Sequence, residues 1–350
     1  MMTTIDKLRT LLADLDGILL LDEQNRRYAT RMQTSAGAVY ITEKEAYFLT
    51  DFRYIEAARR ACAGFEVLEQ KGALTGQLAQ LMAGAKRVGF EDATTTVSQY
   101  GRLAGALPVE FVPVSRQIME LRSIKDSYEL ECIRAAQKIT DETFAYVLEH
   151  IRPGMTERAL AALIEYQMRL RGADGPAFDT IAVSGKNTSL PHGVPSDKPI
   201  ESGDFVTMDF GAKARGYCSD MTRTVAVGRP TEKMRQIYGI VLEANRRALA
   251  GVQTGMTGAA CDALARGYIA QQGYGDRFGH GLGHSLGLEI HEEPRFSPAC
   301  ETVILPGTVV TVEPGIYLEN EFGVRIEDMV WMTPDGPVNL TASPKELIVL

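Results

Sequence analysis

The chain has 350 residues, 45% of them hydrophobic and 23% charged, enough for roughly two domains with cores of their own. Forty-five acids against 37 bases leave a formal net charge of -8. That balance excludes the broad basic face needed for nucleic-acid binding, and the apolar fraction excludes disorder. No apolar run approaches the ~20 residues of a membrane span. The longest near the start, Gly17-Ile18-Leu19-Leu20-Leu21, is also too short for a secretory core. The five cysteines, Cys62, Cys132, Cys218, Cys261 and Cys300, form no CxxC pair and read as reduced thiols of a cytoplasmic protein. Neither a nucleic acid nor a membrane is expected as a partner.

The N-terminal third alternates short helix and strand patterns. Ile5, Leu8, Leu11, Leu12 and Leu15 recur at helical spacing, and Gly17 is expected to stop that helix. Strands are expected over 18–21, 38–41, 46–49, 65–68, 87–90 and 110–114, and helices over 54–63 and near 74–82. The sum is an α/β domain that names no chemistry. Pro113 and Arg122-Ser123-Ile124-Lys125 mark a boundary, so that 1–121 and 122–350 are the expected domains.

Beyond it a helical pattern runs from about Ser127 to Ile151, ended by Pro153-Gly154. His150 at its end reads as a helix-terminal cation. A second helix covers 156–170. Strand patterns follow at 180–184, 205–210 and 222–227. A third helix begins after Pro230 with Thr231 as its cap, and a fourth follows Thr257. The tail reads as strands at 309–312, 323–332 and 347–349.

This second part contains a duplication. Arg152-Pro153-Gly154-Met155-Thr156 is echoed by Gln253-Thr254-Gly255-Met256-Thr257, 101 residues on. Val206-Thr207-Met208-Asp209 is echoed by Val310-Thr311-Val312-Glu313, 104 residues on, and each continues into a glycine, Gly211 and Gly315. Asp220-Met221 is echoed by Glu327-Asp328-Met329. Two copies of a helix-plus-hairpin unit about a pseudo-twofold axis are implied, too few and too long for a solenoid. Each copy puts one carboxylate at the end of an apolar strand and a second on the next strand, 11 residues later in the first copy and 14 in the second. Residues so spaced across a hairpin can face one another. Any one of these acids alone reads as an exposed strand end. Four at equivalent places predict convergence of Asp209, Asp220, Glu313 and Glu327 near the axis. Four buried carboxylates repel and lose their charge unless cations compensate, and hard oxygen ligands suit divalent cations.

All five histidines lie in this part, and four stand at informative places: His192, His280, His284 and His291. Glycines at 279, 281, 283 and 287 disfavour a helix around three of them, so His280 and His284 are not an HExxH pair. His284 can supply the nitrogen ligand of a mostly carboxylate site, with His280 as the alternative. His291, after an expected Leu288-Glu289-Ile290 strand, can reach in as a proton donor or carbonyl binder.

These residues resemble the pita-bread metallopeptidases, in particular the aminopeptidase P and prolidase (Xaa-Pro dipeptidase) type. The likeness rests on Met208-Asp209-Phe210-Gly211, Ser219-Asp220-Met221-Thr222-Arg223-Thr224, the His280 to Glu292 run, Thr311-Val312-Glu313-Pro314-Gly315, Gly323-Val324-Arg325-Ile326-Glu327-Asp328 and Leu190-Pro191-His192-Gly193. It covers roughly Arg122 to Leu350. The first part resembles, more loosely, that family's creatinase-type N-terminal domain; Arg31-Met32 stands where relatives often have Gly-Phe. The resemblance implies an α+β protein: a smaller α/β creatinase-type N-terminal domain followed by a pseudo-twofold pita-bread catalytic domain.

It further implies two divalent metal ions, manganese first, with cobalt, zinc or iron also suited to such ligands. Asp209 would be terminal on one ion, Asp220 and Glu327 would bridge, and His284 with Glu313 would bind the second. Thr222 would lie near the metals. The implied reaction is hydrolysis of an N-terminal Xaa-Pro peptide bond, by an aminopeptidase or a dipeptidase. Glu313 would move the water's proton to the leaving nitrogen, and His291 and His280 would hold the carbonyl or oxyanion. His192 would enclose the proline side, Arg325 would orient the carboxylates, and Arg295 resembles a holder of a dipeptide's carboxylate. Phe178 and Tyr217 are candidate pocket walls. A proline-containing peptide is the implied partner and a homodimer the implied assembly. The rival readings are a methionine aminopeptidase-like exopeptidase and a non-catalytic relative of the same fold.

Overall fold

The structure is a computed structural model and describes residues 2–350. It divides into two compact units, Met1–Arg122 and Ser123–Leu350.

The first unit is built on a six-stranded mixed sheet. Its strand order is Glu66–Glu69, Ala46–Thr50, Ala38–Ile41, Gly17–Leu20, Arg87–Phe90 and Glu110–Pro113. Gly17–Leu20 runs antiparallel to Ala38–Ile41 and parallel to Arg87–Phe90. Two expectations for the start are corrected. The first helix is only Thr4–Arg9, followed by a 3-10 turn Thr10–Leu12. Gly17 opens the strand rather than closing that helix, because a Cβ there would lie 2.5 Å from the Tyr40 ring. Three helices, Glu23–Thr30, Val97–Ala106 and Ser115–Ser123, escape the periodicity argument. The first is almost wholly polar and is set by Asp22, which caps the amides of Gln24 and Asn25. The second carries Gly101 and Gly105, poor helix formers.

The second unit repeats one order of elements. The first copy is helix Ser127–His150, helix Glu157–Leu170, and strands Ile181–Ser184, Phe205–Phe210 and Met221–Ala226. The second copy is helix Glu232–Gly251, helix Gly258–Gln271, and strands Gly283–Ser285, Val309–Val312 and Asp328–Thr333. In each copy the second strand is central and pairs antiparallel with the other two. Thr156, Thr231 and Thr257 each cap a helix by accepting from the amide three residues on. Each helix pair buries an apolar stripe on its sheet. In the first copy Ile139, Phe144, Ile164 and Met168 meet Met208 and Phe210. In the second, Ile237, Val241, Ala265 and Ile269 meet Val310, Val312 and Val330.

Three strand expectations in this unit change. The run 323–332 is broken into Phe322–Arg325, which folds back on Gly315–Leu318, and Asp328–Thr333. The break frees Ile326 and Glu327 from either ladder. Residues 347–349 form only an isolated bridge, Ala226 with Val349. Leu288-Glu289-Ile290 is a bend, not a strand, and the strand there is Glu292–Phe296. Among the described residues no helix is long and apolar enough to cross a membrane.

Candidate active site

The duplicated strands deliver the acids. Asp209 lies within Phe205–Phe210, and the residue directly opposite it on the next strand is Thr222, not Asp220. Asp220 is two residues earlier, so by strand alternation it shares the face of Thr222 and looks into the same space. Glu313 follows Val309–Val312, and Glu327 precedes Asp328, whose partner across the ladder is Val312. Both copies therefore end their paired strands at one place. All four acids, with His192, His280, His284, His291, Arg295 and Arg325, line one cavity of about 410 Å³.

The His280–His284 segment is held from below by the fourth helix of the unit. Arg266 pairs with Asp262 at 2.6 Å and donates to the carbonyls of Phe278 and His280. Asp262 accepts from the Leu282 amide at 2.9 Å. At Gly283 a Cβ would sit 1.9 Å from the Thr311 carbonyl oxygen, so only glycine allows this strand to lie so close to Val309–Val312. That close approach carries His284 to the carboxylates. Its Nδ1 faces the Ser285 carbonyl at 3.1 Å, which leaves Nε2 3.5 Å from both Asp220 Oδ2 and Glu313 Oε1. A histidine fixed by a backbone acceptor at one nitrogen presents a lone pair at the other. Burial, reinforced by His291, holds the His284 ring neutral, its pKa lowered to about 3.

Among the described residues Arg325 is the one cation inside this cluster. It is buried, reaches Asp209 Oδ2 at 2.5 Å, and donates from Nε to Thr222 Oγ1 at 3.0 Å. Thr222 passes its own hydroxyl hydrogen to Glu327 Oε2 at 2.7 Å. Arg325 Nη1 also donates to the Tyr317 hydroxyl at 2.8 Å, which stands 2.9 Å from His280 Nε2. The other His280 nitrogen lies 2.8 Å from the Gly281 carbonyl. The donors therefore run in one direction: Arg325 to Tyr317 to His280 to Gly281. His280 is neutral in that chain, and burial with the Arg325 charge lowers its pKa to about 4.

The remaining acids are frustrated. Burial, then the charges of Asp209 and Glu313, pushes Asp220 well above the carboxylate range. Glu327 is raised by burial and by Asp220, Glu313 and Asp209. Burial lifts Glu313 to about 8 against the pull of Arg325. Asp209 Oδ1 and Asp220 Oδ1 are buried with no hydrogen-bond partner among the described residues. Asp220, His284 and Glu327 offer ligand atoms all within 4.8 Å of one another. Orphaned oxygens, carboxylates short of positive charge and an aimed imidazole fit a divalent cation.

The other sequence candidates divide. Phe178 lines the cavity, whereas Tyr217 does not. Its hydroxyl instead donates to Glu129 Oε1 at 3.2 Å, beneath the sheet. Arg295 stands at the cavity mouth, half-exposed, its Nε on Glu293 Oε1 at 3.1 Å. His291 packs edge-on against His284, ring centres 4.4 Å apart. His192 is exposed on the opposite rim. His150 faces the Tyr146 carbonyl at 2.7 Å, at the end of its helix and away from the site. Tyr317 was not legible in advance; its only signal was its place on a strand beside the Glu313 motif. Asp179, also in the cavity wall, had no signal beyond its place next to Phe178.

A cavity closed by two copies of one helix–helix–sheet unit, lined by four acids and an oriented histidine, defines a metallohydrolase of pita-bread architecture. Residues 131–334 match metallopeptidase family M24 and residues 5–124 match the creatinase/prolidase N-terminal domain. The chain belongs to metallopeptidase family M24. It is 46% identical over 351 residues to the "uncharacterized peptidase YqhT" of Bacillus subtilis, covering 99% of each. Among solved structures it is similar to an Xaa-Pro dipeptidase from Bacillus anthracis, with TM-score 0.96, 46% identity and 99% of each chain covered. It is also similar to an X-Pro aminopeptidase from Thermotoga maritima, with TM-score 0.94, 37% identity, and 97% of this chain and 99% of that one covered.

Proposed function

We propose that the protein is a metal-dependent exopeptidase that hydrolyses the N-terminal Xaa-Pro peptide bond, with the dipeptide as preferred substrate. The observation that carries the reading is the pair of buried oxygens, Asp209 Oδ1 and Asp220 Oδ1, that have no hydrogen-bond partner among the described residues, inside a cavity where Arg325 is already engaged by Asp209. The names borne by the B. anthracis and T. maritima relatives support the substrate class, and Arg295 at the mouth supports the dipeptide preference. The assignment of 1–121 as a creatinase-like domain and 122–350 as the catalytic domain belongs to the same proposal. So do manganese as the resident ion, a cytoplasmic location and a homodimer.

Asp209, Asp220, His284, Glu313 and Glu327 would hold two divalent ions. The charges favour two. Arg325 neutralises Asp209, which leaves Asp220, Glu313 and Glu327 without a cation. One divalent ion leaves the site negative; two leave a single positive charge. When bound, such ions polarise a carbonyl and lower the pKa of a water.

The chain's residues do the rest. Glu313, its Oε1 accepting from Thr311 at 3.2 Å, takes the attacking water's proton and returns it to the leaving nitrogen. That nitrogen is prolyl, a tertiary amide, and has no hydrogen before cleavage. His291 donates to the carbonyl oxygen as it becomes an anion. His280 has both ring nitrogens engaged by Tyr317 and Gly281, so it acts by holding the Arg325–Tyr317 network rather than by touching the carbonyl. His192 closes the proline side. Arg325 and Thr222 fix the angles at which Asp209 and Glu327 present their oxygens.

The test is hydrolysis of Ala-Pro and Ala-Pro-Ala-Ala by protein stripped with chelator and reloaded with Mn2+. Activity that requires the metal and favours Ala-Pro is expected. Cleavage of the longer peptide alone removes the dipeptide preference. Failure on both removes the Xaa-Pro reading, and release of Met from Met-Ala peptides in its place would establish the methionine aminopeptidase alternative.

A further inference from the structure

His192 and His291 occupy matching places in the two copies. His192 stands on the loop between strand Ile181–Ser184 and Pro199, which bridges Thr156. His291 stands between strand Gly283–Ser285 and Val303, which bridges Thr257. The next residue after each threonine differs sharply. After Thr257 comes Gly258, where a Cβ would lie 2.1 Å from the Arg295 carbonyl oxygen; the second loop itself fills that space. After Thr156 comes Glu157, fully buried.

Glu157 is not needed to start its helix, since Thr156 already caps it by accepting from Ala159 at 3.1 Å. Nor does it have a cation; no ion pair reaches it among the described residues. A buried carboxylate without a counter-charge survives only on hydrogen bonds, and these come from the His192 loop and from Ser184, the strand residue that leads into it. Its Oε1 accepts from the Ser184 amide at 2.7 Å, the Ser184 hydroxyl at 3.1 Å and Asn187 Nδ2 at 3.0 Å. Its Oε2 accepts from the Ser196 amide at 3.0 Å and the Ser196 hydroxyl at 2.6 Å. Ser184 and Asn187 lie on the limb before His192 and Ser196 on the limb after it. One carboxylate thus ties the two limbs together at the neck. Lys198 adds a lesser tie, Nζ to Ser184 Oγ at 2.9 Å. Nearer the tip the limb before His192 is held by Thr188 to Gly323 at 2.8 Å and by the Pro191 carbonyl to Arg325 at 3.3 Å. The crest beyond contributes little packing, as Leu190 and Val194 are exposed.

We infer that Glu157 is a positioning residue for the hydrolytic site: by closing the neck of loop 185–197 it sets where His192 stands over the cavity. The inference rests on the proposed role of His192 and adds the group that fixes it. Removing the carboxylate loosens the limb after His192, which the Arg158 amide on the Ser196 carbonyl at 3.0 Å and the Arg158–Asp197 pair at 2.9 Å still hold, and a displacement of about 1 Å at a group contacting substrate costs on the order of 100-fold in rate.

The experiment is a double-mutant cycle in the full-length, Mn2+-loaded protein, with Ala-Pro as substrate. Glu157→Ala should lower kcat/KM by roughly 10- to 100-fold with metal content unchanged. In the His192→Ala background the same change should cost less than about threefold. Ser196→Ala, which removes one hydroxyl donor and leaves the fold intact, should cost about fivefold and show the same dependence on His192. Where Glu157→Ala does not fold, the Ser196→Ala cycle decides in its place. Hydrogen exchange on the metal-free protein gives a readout apart from activity: loop 185–197 should exchange faster in the variant, with strands Phe205–Phe210 and Met221–Ala226 unchanged. Equal losses in both backgrounds, or unaltered exchange in the loop, overturn the inference. A His192→Ala variant with full activity overturns the role of His192 itself, and is recognised from the single variant alone.

Discussion

The sharpest consequence of the site is that the metal-free protein is destabilised by one of the buried acids of its own cavity. Glu313 is raised by burial to about 8, whereas an unfolded-chain glutamate titrates near ~4.3. Between those values the folded state keeps a proton that the unfolded state has lost. The folded state then binds more protons, so stability falls as pH rises through the window, and the full loss is present above it. At ~1.4 kcal/mol per tenfold the gap corresponds to a ceiling of roughly 5 kcal/mol. Asp220 and Glu327 share the same field and take part of the titration, so about 2 kcal/mol is expected from Glu313 alone. Glu313→Gln keeps the shape and removes the charge. Without metal, the variant should match wild type at pH 5 and exceed it by about 2 kcal/mol at pH 8.5, roughly 4–8 °C in Tm for a unit of this size. His284 and His280, lowered to about 3 and about 4, work with the opposite sign. Their stabilisation is lost as pH falls below ~6.5. They are common to both proteins and cancel in the difference. The assay is thermal unfolding in chelator from pH 5 to 8.5, repeated with Mn2+, which should reverse the order at high pH by binding wild type more tightly. A stability difference that does not change with pH, or a metal-free wild type that is the more stable at pH 8.5, refutes the reasoning.

Three further outcomes follow from the same contacts. His284→Ala should bind less than the wild-type complement of metal by elemental analysis, while His291→Ala should keep the full complement and lose at least about 100-fold in kcat; metal loss in the latter would reverse the two assignments. Tyr317→Phe removes the hydroxyl shared by Arg325 and His280 and should cost about five- to tenfold in kcat with metal content unchanged. Lys125 and Glu292 form a fully buried pair at 3.0 Å next to His291. Lys125→Met should therefore lower stability by about 3–5 kcal/mol in denaturant unfolding, and the double change with Glu292→Leu should recover most of it.

Much of the site was legible because duplication multiplies a weak signal. One acid at a strand end means little, whereas Asp209, Asp220, Glu313 and Glu327 at matched places pointed to one cavity, and the four do line it. The long helices were legible from their apolar period, as for Ser127–His150, and Glu232–Gly251 also from its threonine cap. What stayed hidden was structure made by polar residues at long range. Helix Glu23–Thr30 is fixed by an aspartate cap and by Asn25 on the buried Glu91 at 2.7 Å, not by a stripe. Tyr317, Lys125 and Glu157 act through partners 8, 167 and up to 39 residues away, and no local pattern announces such pairings. Tyr217 misled for the same reason: an aromatic next to a ligand motif looks like a wall, and only the fold turns it toward Glu129.

Thr222 shows why two copies of one unit make one site rather than two. It faces Asp209 across its own ladder, which places Asp220 two residues back on the same face. Its hydroxyl joins Arg325 and Glu327, both of the second copy, and its carbonyl accepts the Glu327 amide at 3.1 Å. A single residue of the first copy thus sets the register of the second. The Arg325 it helps orient neutralises Asp209 of the first copy in return. The first copy alone would present Asp209 and Asp220 without Arg325 and His284, both of which the second copy supplies. Bonding across the axis gives one acid a permanent partner and leaves three for mobile charge. This uneven division suits a centre that must hold ions firmly and still present positive charge to a reacting carbonyl. Exchange of Thr222 for valine, similar in shape but without the hydroxyl, would therefore be felt by Arg325 and Glu327 together, not by either alone.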